Sequence, residues 1–211
     1  MSGPGAVAGA VGRHWDGVYA IKAPETVSWF QQQPDISLRL LAAAGDRTGP
    51  VIDVGAGRSP LAGALLACGW SDVTVLDVSA HALEQPAAGL GEHRDALTVI
   101  VADLLGWTPA RVYSSWHDRA VFHFLVEQAD RDRYLAIARR AVAPGGALVL
   151  GTFAPDGPTS CSGLPTARYD ATGLAALFAP DFTLEHSESE QHTTPSGDAQ
   201  PFTWVVLRRA G

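Results

Sequence analysis

Val51-Ile52-Asp53-Val54-Gly55-Ala56-Gly57-Arg58-Ser59-Pro60-Leu61 constrains the fold more than any other stretch of this chain. Its apolar, β-branched start suits a strand buried on both faces. Two glycines one residue apart then allow a tight turn and close approach of backbone to a ligand, because neither carries a Cβ. Ser59 is a candidate N-cap for the helix that follows, and Pro60 fits a first helical turn. Strand, glycine turn and capped helix together predict the opening unit of a nucleotide-binding α/β domain. No third glycine completes the dinucleotide fingerprint, since Ser59 and Pro60 occupy the positions after Arg58. Asp53 is also unusual, because a carboxylate inside a buried strand requires a partner.

The rest of the chain repeats the same alternation. Strands are expected at Val73–Ser79, Leu97–Ala102, Val112–Trp116 and Ala147–Phe153, with helices at Asp35–Ala44, Leu61–Cys68, Ala80–Gln85 (limited by Pro86) and Asp130–Val142. A loop over Asp156–Pro165, a helix over Ala171–Phe178 and a strand over Phe182–His186 follow. A polar loop over Glu188–Gln200, with Thr193-Thr194-Pro195 as a turn, then leads to a last strand at Phe202–Leu207. This order predicts a Rossmann-like, doubly wound α/β fold: a seven-stranded, mostly parallel sheet ending in an antiparallel hairpin. The expected organisation is a flexible tail over 1–12 and one domain over 13–211. Within it, 13–45 forms an N-terminal lid, 46–153 the cofactor-binding core, and 154–211 the substrate-side loop and hairpin.

Composition removes several classes of function. Fifteen Lys and Arg against 22 Asp and Glu give a net charge of −7, so a nucleic-acid partner is not expected. No apolar run approaches the ~18 residues of a membrane span, and the start lacks a basic region, so no membrane association is expected. Cys68 and Cys161, far apart and without CxxC spacing, give neither a disulfide framework nor a zinc site, and a reducing cytoplasmic location is expected. Cys161 with His117, His123, His186 and His192 matches no ligand spacing, so no metal is expected.

In open α/β sheets, ligands bind beyond the carboxyl ends of the strands. Those ends carry Gly55, Ala56 and Gly57, then Asp77-Val78, Asp103-Leu104, and Trp116-His117-Asp118. Asp77, twenty residues past the glycine turn, suits the two hydroxyls of an unphosphorylated ribose. Asp103 suits an exocyclic amine such as that of adenine, and Asp53 a cationic amine. Carboxylates lining a site where a pyrophosphate needs only backbone amides point to a cationic adenosine derivative, and make a dehydrogenase the weaker reading.

With these residues in place, the sequence resembles the class I S-adenosylmethionine-dependent methyltransferases. Asp53-Val54-Gly55-Ala56-Gly57 is similar to their first motif, with Ser59 in place of a common third glycine. Asp77 is similar to the ribose acid, Asp103-Leu104 to the adenine-edge position, Trp116-His117-Asp118 to the fourth motif, and Pro144-Gly145-Gly146 to the turn before the fifth strand. The opening His14-Trp15-Asp16-Gly17-Val18-Tyr19 with Ser28-Trp29-Phe30 resembles the thiopurine- and thiol-methylating branch. It also resembles, in part, the protein-lysine methyltransferases. That likeness implies a lid in which Trp15, Tyr19 and Trp29 lie near the cofactor; from the residues alone, these aromatics either pack the lid on its own domain or touch the ligand.

The resemblance implies S-adenosylmethionine as cofactor, S-adenosylhomocysteine as product, and methyl transfer by in-line displacement. Such a reaction mainly needs positioning and exclusion of water. A base assists if the nucleophile carries a proton, and His117, His123 and Glu127 are the candidates. The compact chain favours a small-molecule acceptor through S, N or O. A protein-lysine methyltransferase, with protein as substrate, and a non-catalytic adenosyl-binding protein are the alternatives.

Overall fold

In the computed structural model, residues 4–88 and 90–211 are described. β1 (Val51–Val54), β2 (Val73–Asp77), β3 (Leu97–Val101), β4 (Tyr113–Arg119) and β5 (Val142–Phe153) are followed by a small hairpin, β6 (Ser160–Cys161) and β7 (Leu164–Pro165), and by the long strands β8 (Phe182–Thr193) and β9 (Ala199–Arg209). The helices are α1 (Pro4–Ile21), α2 (Asp35–Ala44), α3 (Leu61–Ala67), α4 (Ala80–Ala87), α5 (Gln128–Ala141) and α6 (Ala171–Phe178). Seven strands form one sheet in the order β3-β2-β1-β4-β5-β9-β8. β1 to β5 pair in parallel, while β9 pairs antiparallel with both β5 and β8. The expected architecture is thus present, with the switch in strand order between β1 and β4.

Alternation along the strands sorts side chains into two cores. Val51, Val73, Val75, Val149 and Trp204 pack with Leu40, Leu41, Leu61, Leu65 and Leu83 from α2, α3 and α4. Ile52, Val54, Trp116, Leu148 and Leu150 pack with Tyr134, Ile137, Leu174 and Phe178 from α5 and α6. β1 is buried on both faces, as its composition demands.

Several boundaries differ from the sequence reading. β5 begins at Val142 rather than Ala147 and includes Pro144-Gly145-Gly146, the expected loop over 156–165 contains β6 and β7, and β9 outruns the expected last strand at both ends. Four more concern helix and strand ends. First, helix α1 begins at Pro4, so the tail expected over 1–12 is helical from there, and residues 1–3 lie outside the described residues. Its alanines favour helix, and at Gly12 it runs alongside Val78, whose Cγ2 would lie at contact distance, 3.5 Å, from an added Cβ. Second, α4 continues through Pro86 to Ala87. Third, β4 runs on to Arg119, because parallel partners on both sides bond its polar end. Fourth, the polar segment after residue 186 is not a loop. β8 extends to Thr193, crossing a bulge between Leu184 and His186, and only 194–198 turns. Its acids bond back to the N-terminal half: Glu188 takes Arg39, and Glu190 takes Gln31 at 3.2 Å.

On the α5 side, β4 holds a buried polar chain. Trp116 Nε1 donates to Tyr134 Oη at 3.0 Å, and that hydroxyl donates to Asp118 Oδ2 at 2.7 Å. Asp118 Oδ1 accepts the Val121 amide at 2.9 Å, which fixes the turn leaving the strand. Burial pushes the Asp118 carboxyl up to about 6, against the bonds it accepts. Its unfolded value is ~3.9, so the folded state holds the proton more tightly. The resulting stabilisation is complete below pH ~4 and is lost as pH rises through about 6. Relative to Asp118→Asn, the wild-type protein should therefore lose on the order of 2–3 kcal/mol between pH 4 and pH 7. Urea unfolding at both pH values measures this, and parallel pH profiles would contradict it.

Candidate functional site

The register β1–β4 sets Asp53 directly opposite His117, on the face toward α2. His117 Nδ1 lies 2.7 Å from Asp53 Oδ1, and Nε2 lies 2.9 Å from Ser37 Oγ in the first turn of α2. All three side chains are buried. Because the carboxylate only accepts, Nδ1 carries the proton, and in the neutral ring Nε2 accepts from the Ser37 hydroxyl. The line Asp53–His117–Ser37 thus ties β1, β4 and α2 together under the glycine turn. Asp53 therefore has one oxygen committed, not two free for an amine, and His117 has both ring nitrogens occupied.

Gly55 (φ +63°) and Gly57 (φ +53°) adopt the left-handed backbone that only glycine takes without strain. A Cβ on Gly55 would lie 2.0 Å from Val121 Cγ2, and one on Gly57 would lie 2.5 Å from Tyr19 Oη. The turn is thus pressed between the β4 exit and α1. Ser59 Oγ accepts the Leu61 amide at 3.1 Å, while Pro60 takes the cap position of α3 itself. Asp77 closes β2. Its Oδ2 accepts the Gly57 amide at 2.9 Å and its Oδ1 the Ser79 amide at 2.8 Å. Burial raises its carboxyl to about 6 despite these bonds.

Helix α1 lies across this turn. Ser79 Oγ donates to Asp16 Oδ1 at 2.6 Å. Arg58, directly after the glycines, donates to the Tyr19 carbonyl at 2.8 Å and the Lys22 carbonyl at 3.3 Å, a cation at a helix C-terminus. Trp15 meets Tyr19, Trp29 and Phe124 with ring centroids 6.2, 5.8 and 5.4 Å apart, so the aromatics of the N-terminal segment form one cluster over the turn. Tyr19 and Trp29 face the cavity beneath it and Trp15 packs behind them. The Tyr19 hydroxyl is buried, which raises its pKa and keeps it a donor.

That cavity, about 70 Å³, is bounded by Asp53, Gly55, Ala56, Gly57, His117 and Arg119 among others. Several expected site residues stand elsewhere. Trp116 lies on the opposite face of β4, buried under α5, because successive strand residues alternate. Asp103 accepts the Leu105 amide at 3.1 Å at the end of β3, with Leu104 buried beside it, and Val78 packs under Gly12. His123 is wholly buried between Phe124 and Phe153, with centroids at 4.5 and 4.3 Å. Burial, then the Arg119 charge, lowers it to about 3, leaving a poor base at neutral pH. Glu127 is exposed at the start of α5, with its side chain free of any cap bond. Among the described residues, no group of three or more His, Cys, Asp or Glu is placed to share a metal ion.

Sequence reasoning missed Ser37, Arg58 and Arg119. Arg119 was within reach, since it follows His117 by two in a strand and shares its face. Ser37 gave no signal, because only the packing of α2 on the sheet brings it to His117. Ala120, next to Arg119, has φ +70°, a strained conformation for a residue with a Cβ, at the point where β4 turns over the site.

Neither a protein-family model nor a curated protein matches this chain. Solved structures do. A S-adenosylmethionine-dependent methyltransferase from Anabaena variabilis aligns over 96% of this chain and 95% of its own, with TM-score 0.74 and 18% identity. The 1,6-didemethyltoxoflavin-N1-methyltransferase of Burkholderia thailandensis, solved with S-adenosylhomocysteine, aligns over 100% and 92%, with TM-score 0.70 and 21% identity. The N-methyltransferase NodS of Bradyrhizobium japonicum aligns over 95% and 98%, with TM-score 0.71 and 15% identity. The fold is therefore the one these methyltransferases share, over nearly the whole chain. The comparisons give no support to the thiopurine or protein-lysine branch in particular.

The site makes a specific demand on Gly57. Gly57→Ala should lose about 1–2 kcal/mol through its left-handed backbone and also push Tyr19 away. Hydrogen exchange at Val18 to Lys22 should then accelerate at least tenfold. Gly69→Ala is the control, since Gly69 has φ +93° and open space around it. That variant should be strained without loosening α1; equal exchange in both variants would disprove the contact.

Proposed function

We propose that this protein is an S-adenosylmethionine-dependent methyltransferase acting on a small-molecule acceptor. The observation that carries the proposal is the carboxyl edge at the β1/β4 switch. There a close-approach glycine turn lies beneath Tyr19 and Trp29, the Asp77 carboxylate at the end of β2 holds its Gly57 amide, and Asp103 follows the end of β3. The fit is one of shape and charge. A Cβ at Gly57 would intrude on Tyr19, and carboxylates replace the bare amides a pyrophosphate would need. Asp77 would hold ribose hydroxyls, Asp103 an adenine amine, and the remaining oxygen of Asp53 the methionyl ammonium. When bound, the cofactor supplies an electrophilic methyl group on a sulfonium with a good leaving group.

The chain's own contribution is placement and dryness. Tyr19 and Trp29 cover the cavity, and the Asp53–His117–Ser37 line holds its floor rigid. With both ring nitrogens engaged, His117 orients rather than abstracts. A nucleoside-sized ligand needs a pocket of ~300–1,000 Å³, against about 70 Å³ under the lid. Widening of the cleft at α1 and the Trp29 segment, which cover it, would make room for such a ligand. The small-molecule assignment is supported by the compact chain, and by neighbours named for small acceptors, such as the didemethyltoxoflavin enzyme.

Calorimetry with S-adenosylhomocysteine tests the reading directly: saturable one-site binding is expected, and its absence would sink it. Asp77→Ala should weaken that binding by roughly 1–3 kcal/mol through lost ribose bonds. Because the carboxyl titrates at about 6 and hydroxyls favour its ionised form, wild-type affinity should fall with decreasing pH below 6. The Asp77→Ala variant should lack that dependence.

A further inference from the structure

Arg119 ends β4 on the cavity side and carries a guanidinium that the protein only half satisfies. Nη1 donates to the Trp29 carbonyl at 3.0 Å, and the plane lies over the Phe202 ring, 4.8 Å from its centroid. Nε and Nη2, by contrast, are shut from solvent and have no acceptor among the described residues. These two nitrogens share one edge of the guanidinium, the edge that meets a carboxylate in two parallel bonds. Its acidic neighbour does not serve. Glu190 is committed to Trp204 Nε1 at 2.7 Å and to Gln31 at 3.2 Å. The other titratable groups nearby, His123, His192 and Cys161, offer no anion: the imidazoles are lowered by burial and by Arg119 itself, and burial raises the thiol.

Buried guanidinium donors without an acceptor are costly, and burial lowers Arg119 to about 10 although the Glu190 charge opposes that shift. Hydrogen bonds of charged groups gain strength in such a dry site. We propose that Arg119 is the anchor for a carboxylate on a ligand held in this cleft. The proposal rests on the reading of the cleft as a methyl-transfer site and narrows its ligands to carboxylates. Two sources share this chemistry, the acceptor and the amino-acid end of the cofactor. Arg119 pairs with Gly151 of β5 and lies over Phe202 of β9, on the side of the cleft toward the C-terminal hairpin, which favours the acceptor.

Calorimetry on wild type, Arg119→Gln and Arg119→Lys separates the cases. Circular dichroism and thermal melting first confirm that each variant is folded. The ligands are S-adenosylhomocysteine, 5′-methylthioadenosine (which lacks the amino-acid end), and acetate, benzoate and succinate with their uncharged amides. If the acceptor brings the carboxylate, carboxylates but not amides bind the S-adenosylhomocysteine complex. Arg119→Gln then loses that binding at least tenfold, and Arg119→Lys recovers part of it, while S-adenosylhomocysteine affinity changes less than threefold. If the cofactor brings it, Arg119→Gln loses S-adenosylhomocysteine affinity at least tenfold and binds 5′-methylthioadenosine normally. Either result supports the anchor. A folded Arg119→Gln variant with unchanged affinity for every carboxylate overturns it. Failure of wild type to bind either nucleoside would instead overturn the methyltransferase reading, and carboxylate titration of the free protein, followed by the Arg119 Nε NMR signal, would still decide the role of Arg119.

Discussion

The buried hydrogen bond between Asp53 and His117 is the constraint on which the site depends. It crosses the switch in strand order between β1 and β4, so it joins the halves that come from 51–101 and from 113–209. A carboxylate there, without its imidazole, would be an unpaired charge in the core, a loss of ~3–5 kcal/mol for comparable buried pairs. The pair is completed by Ser37, so α2 is oriented by the same line. The glycine turn, the exit of β4 and the lid then take their positions from strands already locked together.

A second polar line lies back to back with the first. Asp118, one residue after His117, faces the other core and takes Tyr134 and the turn amides. A single strand end therefore supports two buried carboxylate networks, one under each layer of helices. Alternation explains why: neighbours on a strand cannot share a face. The two lines together account for how a seven-residue strand of such polar composition stays ordered at the centre of the sheet.

Much of this was legible in the sequence. The glycine turn, the acids at strand ends, the alternation of strands and helices and the aromatic spacing of Trp15 and Tyr19 are local patterns, and local patterns survive without coordinates. What was lost depends on pairing between distant segments. In the sequence His117 falls after its strand, because the tryptophan-histidine-aspartate run has no β-pattern of its own; β1 and β5 impose it. The polar stretch after residue 186 reads as loop for the same reason, since its partner is β9 and its acids answer Arg39, Gln31 and Trp204 across gaps of 149, 159 and 14 residues. Trp116, placed by motif at the cofactor, faces the opposite core once the register is known. Arg119 stood in plain view, but its significance lies in two unmatched nitrogens, which no linear pattern displays.

The long β8 has a consequence outside the site. It is the outermost strand of the sheet, and a free edge twelve residues long is a template for pairing with another chain. The bulge between Leu184 and His186 interrupts that edge, and Glu185, Glu188 and Glu190 are paired inward with Arg208, Arg39 and Trp204. The same carboxylates that fasten the N-terminal segment also put negative charge along the one strand most exposed to self-pairing. An edge interrupted by a bulge and lined with acids is a poor template for a second strand, so the hairpin ends the sheet as well as extending it.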